Sequence, residues 1–402
     1  MICIVGASLA GDTAAATLRA QGYTGRIVLI GDEAEPPYDR PPLSKEALEG
    51  DSADQRIFLR AQSWYSEQDI ELRLGHAVSA IDRAARRLTL ADGATLAYDK
   101  LLLATGARAR MPGGADATSL PVFRVRTLAD TVALRAALQP GARVAIIGAG
   151  VIGLEVAATA TRRGCAVDVI DLAGRVMARV LPPALSAYMA DLHRAHGVRL
   201  HLDAGSVAFA SVDGQHGVAT ARHGFIGADV VVVGIGVVPN AGLAELAGLD
   251  CQDGVVVDEF CRTSDPDIFA AGDVARYPCP FEQRLVRSEN WRHAQDHAVA
   301  AARNMVGQPQ SYGAVPSMWS DQYDVKLQTC GWLRDSGEIV RGEAGSAKFM
   351  MLYRDDAGLV VGALGINQAK DMRFAQKLIE KRIAVDPALL ADPKQDLRKL
   401  AQ

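Results

Sequence analysis

Three glycines in the middle of the chain have the spacing of a phosphate-binding turn. Residues 146–155 read IIGAGVIGLE, so that Gly148, Gly150 and Gly153 follow a run of apolar residues. In a strand–turn–helix unit, the first glycine permits a tight turn, the second lets the backbone approach a pyrophosphate, and the third lets helix and strand pack closely. The N-terminus of the following helix then faces the phosphates with its partial positive charge. The sequence therefore predicts a dinucleotide site here.

Two carboxylates extend this predicted site. Asp171 ends the next strand-like run, VDVID, at about the 20-residue distance where an acid accepts hydrogen bonds from an adenosine ribose. An acid at this position would repel a 2′-phosphate, which favours NADH over NADPH, although Arg175 lies close enough to weaken that preference. Glu155 lies in the first turn of the predicted helix. It has two interpretations: a group aimed at the cofactor, or an acid favoured there by the helix macrodipole alone.

A related pattern opens the chain. Residues 1–11 read MICIVGASLAG, with Gly6, Ser8 and Gly11 in place of three glycines, and Asp32 ends the next strand-like run. Serine adds only a small side chain, so close approach of a ligand stays possible. The sequence therefore contains two candidate dinucleotide sites on one chain.

Three further segments strengthen the N-terminal site. They are PPYDRPPLSKE at 36–46, LLLATGA at 101–107 and FAAGDVA at 269–275. In the last of these, Gly272 lets the chain approach a ligand and Asp273 offers an acceptor for polyol hydroxyls. Each segment alone could be an ordinary turn, but their joint occurrence in this order favours a second nucleotide site.

The elements that must position these residues form an alternating pattern. Short branched runs alternate with alanine-rich helical segments, which is typical of parallel α/β layers. The predicted strands are 2–6, 27–31, 101–105, 143–147, 167–171 and 230–234. From about residue 313 the pattern changes, and segments 325–332, 348–353 and 359–366 indicate an antiparallel sheet followed by a helix at 369–382.

Composition limits the function classes. The chain has 402 residues, enough for two or three domains, and its net charge of −4 argues against a nucleic-acid partner. No apolar stretch reaches the length of a membrane span. The six cysteines show no metal-ligand or disulfide-framework spacing and predict no metal site; they are Cys3, Cys165, Cys251, Cys261, Cys279 and Cys330. We expect a soluble cytoplasmic protein.

Several longer motifs carry a family resemblance over essentially the whole chain. They are PYDRPPLSK at 37–45, ATGA at 104–107, RTLAD at 126–130, IGAGVIGLEVAATA at 147–160, VVVGIGVVPN at 231–240, RTSDPDIFAAGDVAR at 262–276 and WSDQYD at 319–324. With these motifs the chain resembles the two-dinucleotide-binding flavoproteins. More narrowly, it resembles the NADH-dependent ferredoxin reductases of bacterial oxygenase systems, of the putidaredoxin reductase and biphenyl dioxygenase reductase type.

The resemblance implies an α/β fold with two Rossmann-like domains, for FAD and NAD, and a C-terminal α+β domain. The FAD domain would be built from two segments, 1–108 and 237–313. The NAD domain would be inserted between them at 109–236, and the C-terminal domain would occupy 314–402.

The resemblance also implies the cofactor contacts. FAD would be bound by Gly6, Ser8, Ala10, Gly11, Asp32, Arg40, Lys45, Val78, Ala104, Thr105, Gly106, Arg126, Gly272, Asp273, Trp291 and Trp319. NADH would be bound by Gly148, Gly150, Val151, Ile152, Gly153, Glu155, Asp171 and Gly236. Hydride would pass from NADH to FAD, and single electrons would then pass to a 2Fe–2S ferredoxin.

Lys45 and Glu155 are the candidate catalytic pair. The resemblance implies an ion pair near the flavin, in which Lys45 stabilises negative charge and Glu155 holds it and orients the nicotinamide. Without the resemblance, Lys45 could be a solvated residue of a short helix. The helix after the first glycine turn and the PPLSKEALEG segment contain no cysteine. The nucleophile for thiol–disulfide exchange is therefore missing there, which favours direct electron transfer to a partner.

A basic stripe is the candidate docking surface for that partner. Lys370, Arg373, Lys377 and Lys381 share one face of the predicted helix. The stripe could steer an acidic ferredoxin, or it could be an ordinary solvated face. His193 and His196 are expected to be surface residues of a helix. We expect a monomer or weak dimer.

Two other functions stay open at this point. The nearer is an NADH oxidase or rubredoxin reductase on the same scaffold. The more distant is a flavoprotein interaction module of the apoptosis-inducing factor type. The sequence leaves open which ferredoxin is used and whether an aromatic-ring dioxygenase or a haem monooxygenase follows it.

Overall fold

The computed structural model describes residues 1–50, 56–334 and 337–402. The strands up to residue 123 are β1 (Ile2–Val5), β2 (Ile27–Ile30), β3 (Ile70–Arg73), β4 (Val78–Asp82), β5 (Arg87–Leu90), β6 (Thr95–Ala97), β7 (Lys100–Leu103), β8 (Ala107–Ala109) and β9 (Val122–Phe123). Those from residue 143 to 239 are β10 (Arg143–Ile147), β11 (Ala166–Ile170), β12 (Arg199–His201), β13 (Val207–Val212), β14 (Gln215–Thr220), β15 (Gly224–Gly227), β16 (Val230–Val233) and β17 (Val237–Pro239).

The remaining strands are β18 (Val255–Val256), β19 (Ile268–Ala270), β20 (Ala275–Cys279), β21 (Arg284–Val286), β22 (Ser317–Gln322), β23 (Val325–Gly331), β24 (Ile339–Gly342), β25 (Phe349–Arg354) and β26 (Val360–Ile366). The helices are α1 (Leu9–Ala20), α2 (Glu46–Glu49), α3 (Gln62–Glu67), α4 (Leu128–Ala137), α5 (Val151–Arg162), α6 (Pro183–Ala195), α7 (Gly242–Leu246), α8 (Trp291–Met305), α9 (Ala369–Glu380), α10 (Pro387–Ala391) and α11 (Leu397–Leu400). Short 3₁₀ helices occupy Pro41–Ser44 and Gly272–Val274.

Two parallel sheets carry the two glycine-rich turns. One has the strand order β19-β7-β1-β2-β3 and the other β12-β11-β10-β16-β9. Every neighbouring pair within them is parallel. All six strands predicted from the sequence are present, with ends within two residues of the prediction. Strands β1, β2, β10 and β16 are almost entirely buried, as near-continuous branched runs require.

The C-terminal part is antiparallel, as predicted. Its sheet has the order β22-β23-β26-β25-β24, and α9 follows it. The WSDQ residues lie in β22, an edge strand that the sequence analysis identified as a motif and not as a strand. Arg341 in β24 is 4% exposed and donates to backbone carbonyls of the C-terminal segment, including that of Gln395 at 2.5 Å. This buried guanidinium therefore joins residues 390–395 to the sheet by hydrogen bonds.

The chain divides into two compact units. The first comprises Met1–Arg40, Asp54–Arg108 and Val237–Ala314, and the second Pro41–Ala53, Ala109–Gly236 and Val315–Gln402. The first unit contains the β1 sheet with α1 and α8. The second contains the β10 sheet and the C-terminal sheet, which share one core. The α/β class with a C-terminal α+β part is therefore confirmed.

One short segment groups differently from the division expected from the sequence. Residues 41–50 belong to the second unit, whereas 1–108 was expected to form one domain segment. Three hydrogen bonds explain the grouping. Thr131 donates to the Leu43 carbonyl at 3.1 Å, Thr159 to the Ser44 carbonyl at 2.9 Å, and Arg135 to the Ala47 carbonyl at 2.7 Å.

Neither a membrane span nor a metal cluster is found in the described ranges. No helix there is both long enough and apolar enough to cross a membrane. No group of three or more His, Cys, Asp or Glu side chains there could hold a metal ion.

Candidate functional site

The first glycine-rich turn is fixed by close backbone packing. Gly6 has φ +117°, and a Cβ there would lie 2.1 Å from the Ala104 carbonyl oxygen. A Cβ on Gly11 would lie 2.0 Å from the Gly6 carbonyl oxygen. Both positions therefore need glycine for the strand, the turn and α1 to pack. Ser8, at the position of the second glycine, is the N-cap residue of α1 with an extended backbone.

Other sequence-predicted residues of the first unit converge on this turn. Gly272 has φ +77°, and a Cβ there would lie 3.2 Å from the Ala10 side chain in α1. Two hydrogen bonds join the ATG segment after β7 to Asn240. The Thr105 hydroxyl donates to the Asn240 backbone carbonyl at 2.9 Å, and the Asn240 side-chain amide donates to the Thr105 backbone carbonyl at 2.9 Å. The turn, the ATG segment and the GD segment thus meet at the carboxyl ends of β1, β7 and β19. That edge of a parallel sheet is where ligands bind.

The loop after β2 is held by polar contacts within the same unit. Arg40 pairs with Glu33 at 2.7 Å, and the Trp291 indole donates to Asp39 at 2.7 Å. Burial raises the pKa of the Asp39 carboxyl. Asp32 is exposed next to Glu33. Glu33 and Asp39 were not predicted from the sequence, although the acids around PPYDR were a signal for them.

Four other predicted FAD contacts lie outside these glycine segments in the sequence. Val78 is half-buried at the start of β4 in the first unit. Lys45, Arg126 and Trp319 belong to the second unit. Trp319 is half-buried on β22, and the Arg126 backbone amide donates to Asp130 at 3.2 Å.

The three glycines of the internal turn have two kinds of environment. A Cβ on Gly148, which has φ +112°, would lie 2.4 Å from the Gly234 carbonyl oxygen, and one on Gly153 would lie 2.0 Å from the Gly148 carbonyl oxygen. At Gly150 the nearest atom to such a Cβ is 3.9 Å away. The outer two glycines are therefore needed by the fold, while the middle one leaves open space at the N-terminus of α5. That space suits a pyrophosphate.

Asp171 is tied to this turn. Its carboxylate accepts from the Ala149 amide at 2.6 Å and from the Ala173 amide at 2.7 Å. Each oxygen keeps a lone pair for a ribose hydroxyl. Arg175 is already engaged, donating to Ser186 Oγ at 2.8 Å and to the Ala178 carbonyl at 3.0 Å. Its guanidinium therefore stabilises the loop between β11 and α6.

Gly236, Val151 and Ile152 complete the predicted NAD set. Gly236 has φ +97° and accepts from the Arg110 amide at 2.9 Å. Val151 and Ile152 begin α5, and Ile152 is exposed. Both therefore lie in the first turn behind Gly150.

Glu155 lies in a buried polar cluster of the second unit. It is 3% exposed, and its Oε2 accepts from Lys45 Nζ at 3.1 Å and from the Ser44 hydroxyl. Its Oε1 accepts from the Ser320 hydroxyl at 2.7 Å. Glu155 lies beyond the first turn of α5, which contains no acid, so the expected first-turn position is wrong. A solvated acid is excluded as well, because three donors surround a buried carboxylate. Lys45 is itself only 14% exposed, so it is not a solvated residue either.

The expectation for His193 is wrong. It was expected on the surface but is fully buried, with Nε2 2.8 Å from Gln322 Oε1. Burial lowers its pKa to about 4. His196 is exposed, as expected, and stacks on Tyr323 with ring centroids 3.6 Å apart. The alternation of Ser320 and Gln322 along WSDQ could have indicated one inward face, since side chains two apart on a strand point the same way.

The basic stripe is exposed along α9 and at its C-cap residue, Lys381. Lys370, Arg373, Lys377 and Lys381 all face solvent, while the opposite face buries Met372, Ala375, Leu378 and Ile379. Lys381 differs from the others because its Nζ donates to the carbonyl of Ala401 at 2.9 Å and that of Gln402 at 3.2 Å. It therefore also binds the chain's last residues.

Comparison with known families gives an assignment. Residues 1–298 match the model described as pyridine nucleotide-disulphide oxidoreductase, and residues 317–401 match the one described as reductase C-terminal. The chain belongs to the pyridine nucleotide-disulphide oxidoreductase family. This agrees with the two glycine turns on two parallel sheets, and it confirms the resemblance predicted from the motifs.

Relatives within this oxidoreductase family match over the full length. The chain is 45% identical over 397 residues to the anthranilate 1,2-dioxygenase system ferredoxin–NAD(+) reductase component of Burkholderia cepacia, covering 98% of each. It superposes with a TM-score of 0.93 on the ferredoxin reductase for the CYP199A2 system from Rhodopseudomonas palustris, at 38% identity and covering 100% and 99% of the two chains. It also superposes with a TM-score of 0.93 on a chain of the covalent putidaredoxin reductase–putidaredoxin complex. The sequence identity is 36%, and the match covers 99% of this chain and 97% of that one.

Proposed function

We propose that this protein is an FAD-dependent NADH:ferredoxin reductase that supplies electrons to an oxygenase. The observation that carries the proposal is the full-length similarity to ferredoxin–NAD(+) reductase components, which covers 98% of both chains in one case. The two glycine turns, each at the carboxyl edge of its own parallel sheet, supply the two nucleotide sites that such an enzyme needs.

FAD is assigned to the turn of the first unit. Close packing at Gly6, Gly11 and Gly272 brings backbone to the edge of the sheet, and the half-buried Asp273 offers a carboxylate to polyol hydroxyls. We retain all the contacts implied by the resemblance, namely Gly6, Ser8, Ala10, Gly11, Asp32, Arg40, Lys45, Val78, Ala104, Thr105, Gly106, Arg126, Gly272, Asp273, Trp291 and Trp319. When bound, FAD accepts a hydride and releases electrons singly.

NADH is assigned to the turn of the second unit. The open space at Gly150 receives the pyrophosphate, and Asp171 accepts from the adenosine ribose. The preference for NADH over NADPH follows from charge, since Asp171 repels a 2′-phosphate and the Arg175 guanidinium is held by Ser186 and Ala178. The other assigned contacts are Gly148, Val151, Ile152, Gly153, Glu155 and Gly236.

Lys45 and Glu155 are assigned the role of tuning the flavin through their charges. Their 3.1 Å ion pair is largely shielded from solvent, so the attraction between the two charges is stronger than at an exposed site. Lys45 supplies a positive charge that favours an electron-rich cofactor, and Glu155 holds that charge in place. Neither residue transfers a proton in this proposal, so replacing either should slow the enzyme without abolishing turnover.

The partner is a 2Fe–2S ferredoxin. The exposed basic stripe on α9 is its proposed docking surface, and a cytoplasmic monomer or weak dimer is the proposed state. Of the expected domains, 1–108 with 237–313 is assigned to FAD, 109–236 to NAD and 314–402 to the C-terminal domain.

Two measurements test the proposed function. Purified protein should be yellow with bound FAD, and anaerobic titration should bleach the flavin absorbance with one equivalent of NADH. Cytochrome c should then be reduced only when a 2Fe–2S ferredoxin is added. A protein that stays colourless when supplied with FAD would contradict the proposal. Rapid oxygen consumption with NADH and no carrier would favour the NADH oxidase alternative instead.

A further inference from the structure

A chain of buried hydrogen bonds leads away from Glu155 to a histidine. Ser320 Oγ donates to Glu155 Oε1 at 2.7 Å, and Gln322 Nε2 donates to Ser320 Oγ at 2.9 Å. His193 Nε2 lies 2.8 Å from Gln322 Oε1. Ser320, Gln322 and His193 are each at most 1% exposed. The chain joins α6, β22 and α5 within the second unit.

The chemistry of the groups fixes the direction of every bond in the chain. Because the Gln322 amide nitrogen donates to Ser320, the Ser320 proton points to Glu155. Because the Gln322 amide oxygen only accepts, His193 carries its proton on Nε2 and leaves Nδ1 as an acceptor. The Tyr323 hydroxyl lies 3.4 Å from that Nδ1. All the protons are therefore directed toward the carboxylate.

This direction stabilises one state of Glu155. An ionised carboxylate accepts from Ser320 on one oxygen and from Ser44 and Lys45 on the other. A rotated Gln322 amide would place its oxygen against the Ser320 oxygen, acceptor against acceptor, and its NH₂ group against the Nε2 proton of His193, donor against donor. Such mismatches are costly in a buried site. The chain therefore favours one orientation and one charge state of the carboxylate.

The turn that carries the chain is itself constrained. Tyr323 has φ +55°, a value that bulky residues rarely adopt, at the tip of the β22–β23 hairpin. The stacked His196 ring covers Tyr323, whereas His193 contacts both Tyr323 and Gln322. His193 in α6 and His196, the C-cap residue of that helix, thus contact one hairpin in different ways. They provide a matched pair for experiment.

We propose that His193 and Gln322 are positioning residues. Acting through Ser320, they hold the Glu155 carboxylate as an anion in the orientation that pairs with Lys45. The inference rests on the proposed function, in which Lys45 and Glu155 serve the flavin and the nicotinamide. It adds that this ion pair is controlled from α6, a helix that contains none of the residues assigned to either cofactor.

Four variants of the FAD-loaded enzyme test this proposal. His193→Phe and Gln322→Leu interrupt the chain, and His193→Gln keeps a side-chain donor toward Gln322. His196→Ala removes the stacking on Tyr323 and the contact of Nδ1 with the Leu192 carbonyl, and leaves the chain intact. The readouts are the midpoint potential of bound FAD, the limiting rate of its reduction by NADH in anaerobic stopped flow, and the Kd for NADH. We expect His193→Phe and Gln322→Leu to shift the potential and to lower the limiting rate about tenfold, the effect of losing roughly one hydrogen bond.

The control variants separate positioning from general packing. His193→Gln should return the potential and the rate toward those of the wild type, and His196→Ala should leave both unchanged. An unchanged potential and rate in His193→Phe would overturn the proposal. The proposal would also be overturned if His196→Ala lowered the limiting rate as much as His193→Phe does, or if His193→Gln failed to restore the potential and the rate.

A measurement on the wild type keeps the proposal testable if the variants do not fold. With ¹⁵N-labelled histidine, the NMR shifts of His193 should show a proton on Nε2 and none on Nδ1; the opposite tautomer would overturn the chain. The two proposals fail differently. If NADH does not reduce the wild-type flavin, the proposed function fails, whereas normal reduction in both wild type and His193→Phe rejects the positioning role alone.

Discussion

Gly150 and Gly153 lie three residues apart in one turn but serve different purposes. The space around Gly150 is open, with its nearest neighbour at 3.9 Å from an added Cβ, and its φ of −80° suits any residue. Gly153 has the Gly148 carbonyl oxygen 2.0 Å from such a Cβ. The first glycine therefore serves a ligand and the second serves the fold.

Alanine at each position should separate these purposes. Gly150→Ala should leave the melting temperature near that of the wild type and raise the Kd for NADH about tenfold, because the added methyl group occupies the pyrophosphate approach. Gly153→Ala should destabilise the protein by roughly 1–3 kcal/mol, the usual cost of overpacking. Thermal unfolding and NADH titration check both. Equal melting temperatures for the two variants would contradict the assignment.

At this scale the sequence identified residues but not all their neighbours. The glycine spacing was enough to predict turns, because it reflects local backbone geometry. The partners of Glu155 were not all predictable, since Ser320 lies 165 positions along the chain from it. Serine and glutamine have no distinctive spacing when they act as hydrogen-bond partners, so the sequence offered no comparable signal.

The stripe on α9 raises the question of docking at the scale of an element. Arg373 and Lys377 are exposed and lie on one helical face. Lys381 is a poorer probe than the sequence suggested, because its ammonium also binds the carbonyls of Ala401 and Gln402. Changing it would disturb the C-terminal residues as well as the charge.

Charge reversal should therefore be made at Arg373 and Lys377. The double variant Arg373→Glu, Lys377→Glu should raise the KM for ferredoxin severalfold at low ionic strength, because it opposes the approach of an acidic protein. Added salt should reduce the difference. Reduction of ferricyanide by NADH serves as the control and should be unchanged. Identical ferredoxin kinetics at low salt would show that the stripe is only a solvated face.

Elements were more predictable than their packing partners. The six parallel strands and α9 came from hydrophobic pattern, which is a local property of the sequence. Strand β22 did not, because SMWSDQ mixes polar and apolar residues at an edge position. The segment 41–50 could not be assigned to a unit from its sequence, since its hydrogen-bond partners Thr131, Arg135 and Thr159 are remote.

Across the whole molecule, three buried histidines predict acid lability. Burial lowers the pKa of His193 and of His293 to about 4, and that of His297 well below its ordinary value. Within the described residues neither ring nitrogen of His297 has a hydrogen-bond partner. Since the unfolded chain binds protons to these rings below about pH 6.5 and the folded chain does not until lower pH, stability should fall as the pH falls through that window.

Denaturant unfolding followed by circular dichroism should show this dependence. Between pH 6.5 and 5 each histidine should remove up to roughly 2 kcal/mol of unfolding free energy. His297→Phe should flatten the dependence by removing one such group. A comparison at pH 8 provides the control, because all the rings are neutral there in both states. A slope in His297→Phe equal to that of the wild type would exclude His297 as a contributor.

The sequence by itself determined the two glycine turns, the parallel strands beneath them and the family, because these depend on local backbone geometry and on motifs that are contiguous in the chain. Only the tertiary structure decided that Glu155 is buried among Ser44, Lys45 and Ser320, and that His193 is enclosed while His196 is exposed. Burial and hydrogen bonding arise between segments far apart in the chain. The charge state of a buried group therefore depends on neighbours that no local pattern specifies.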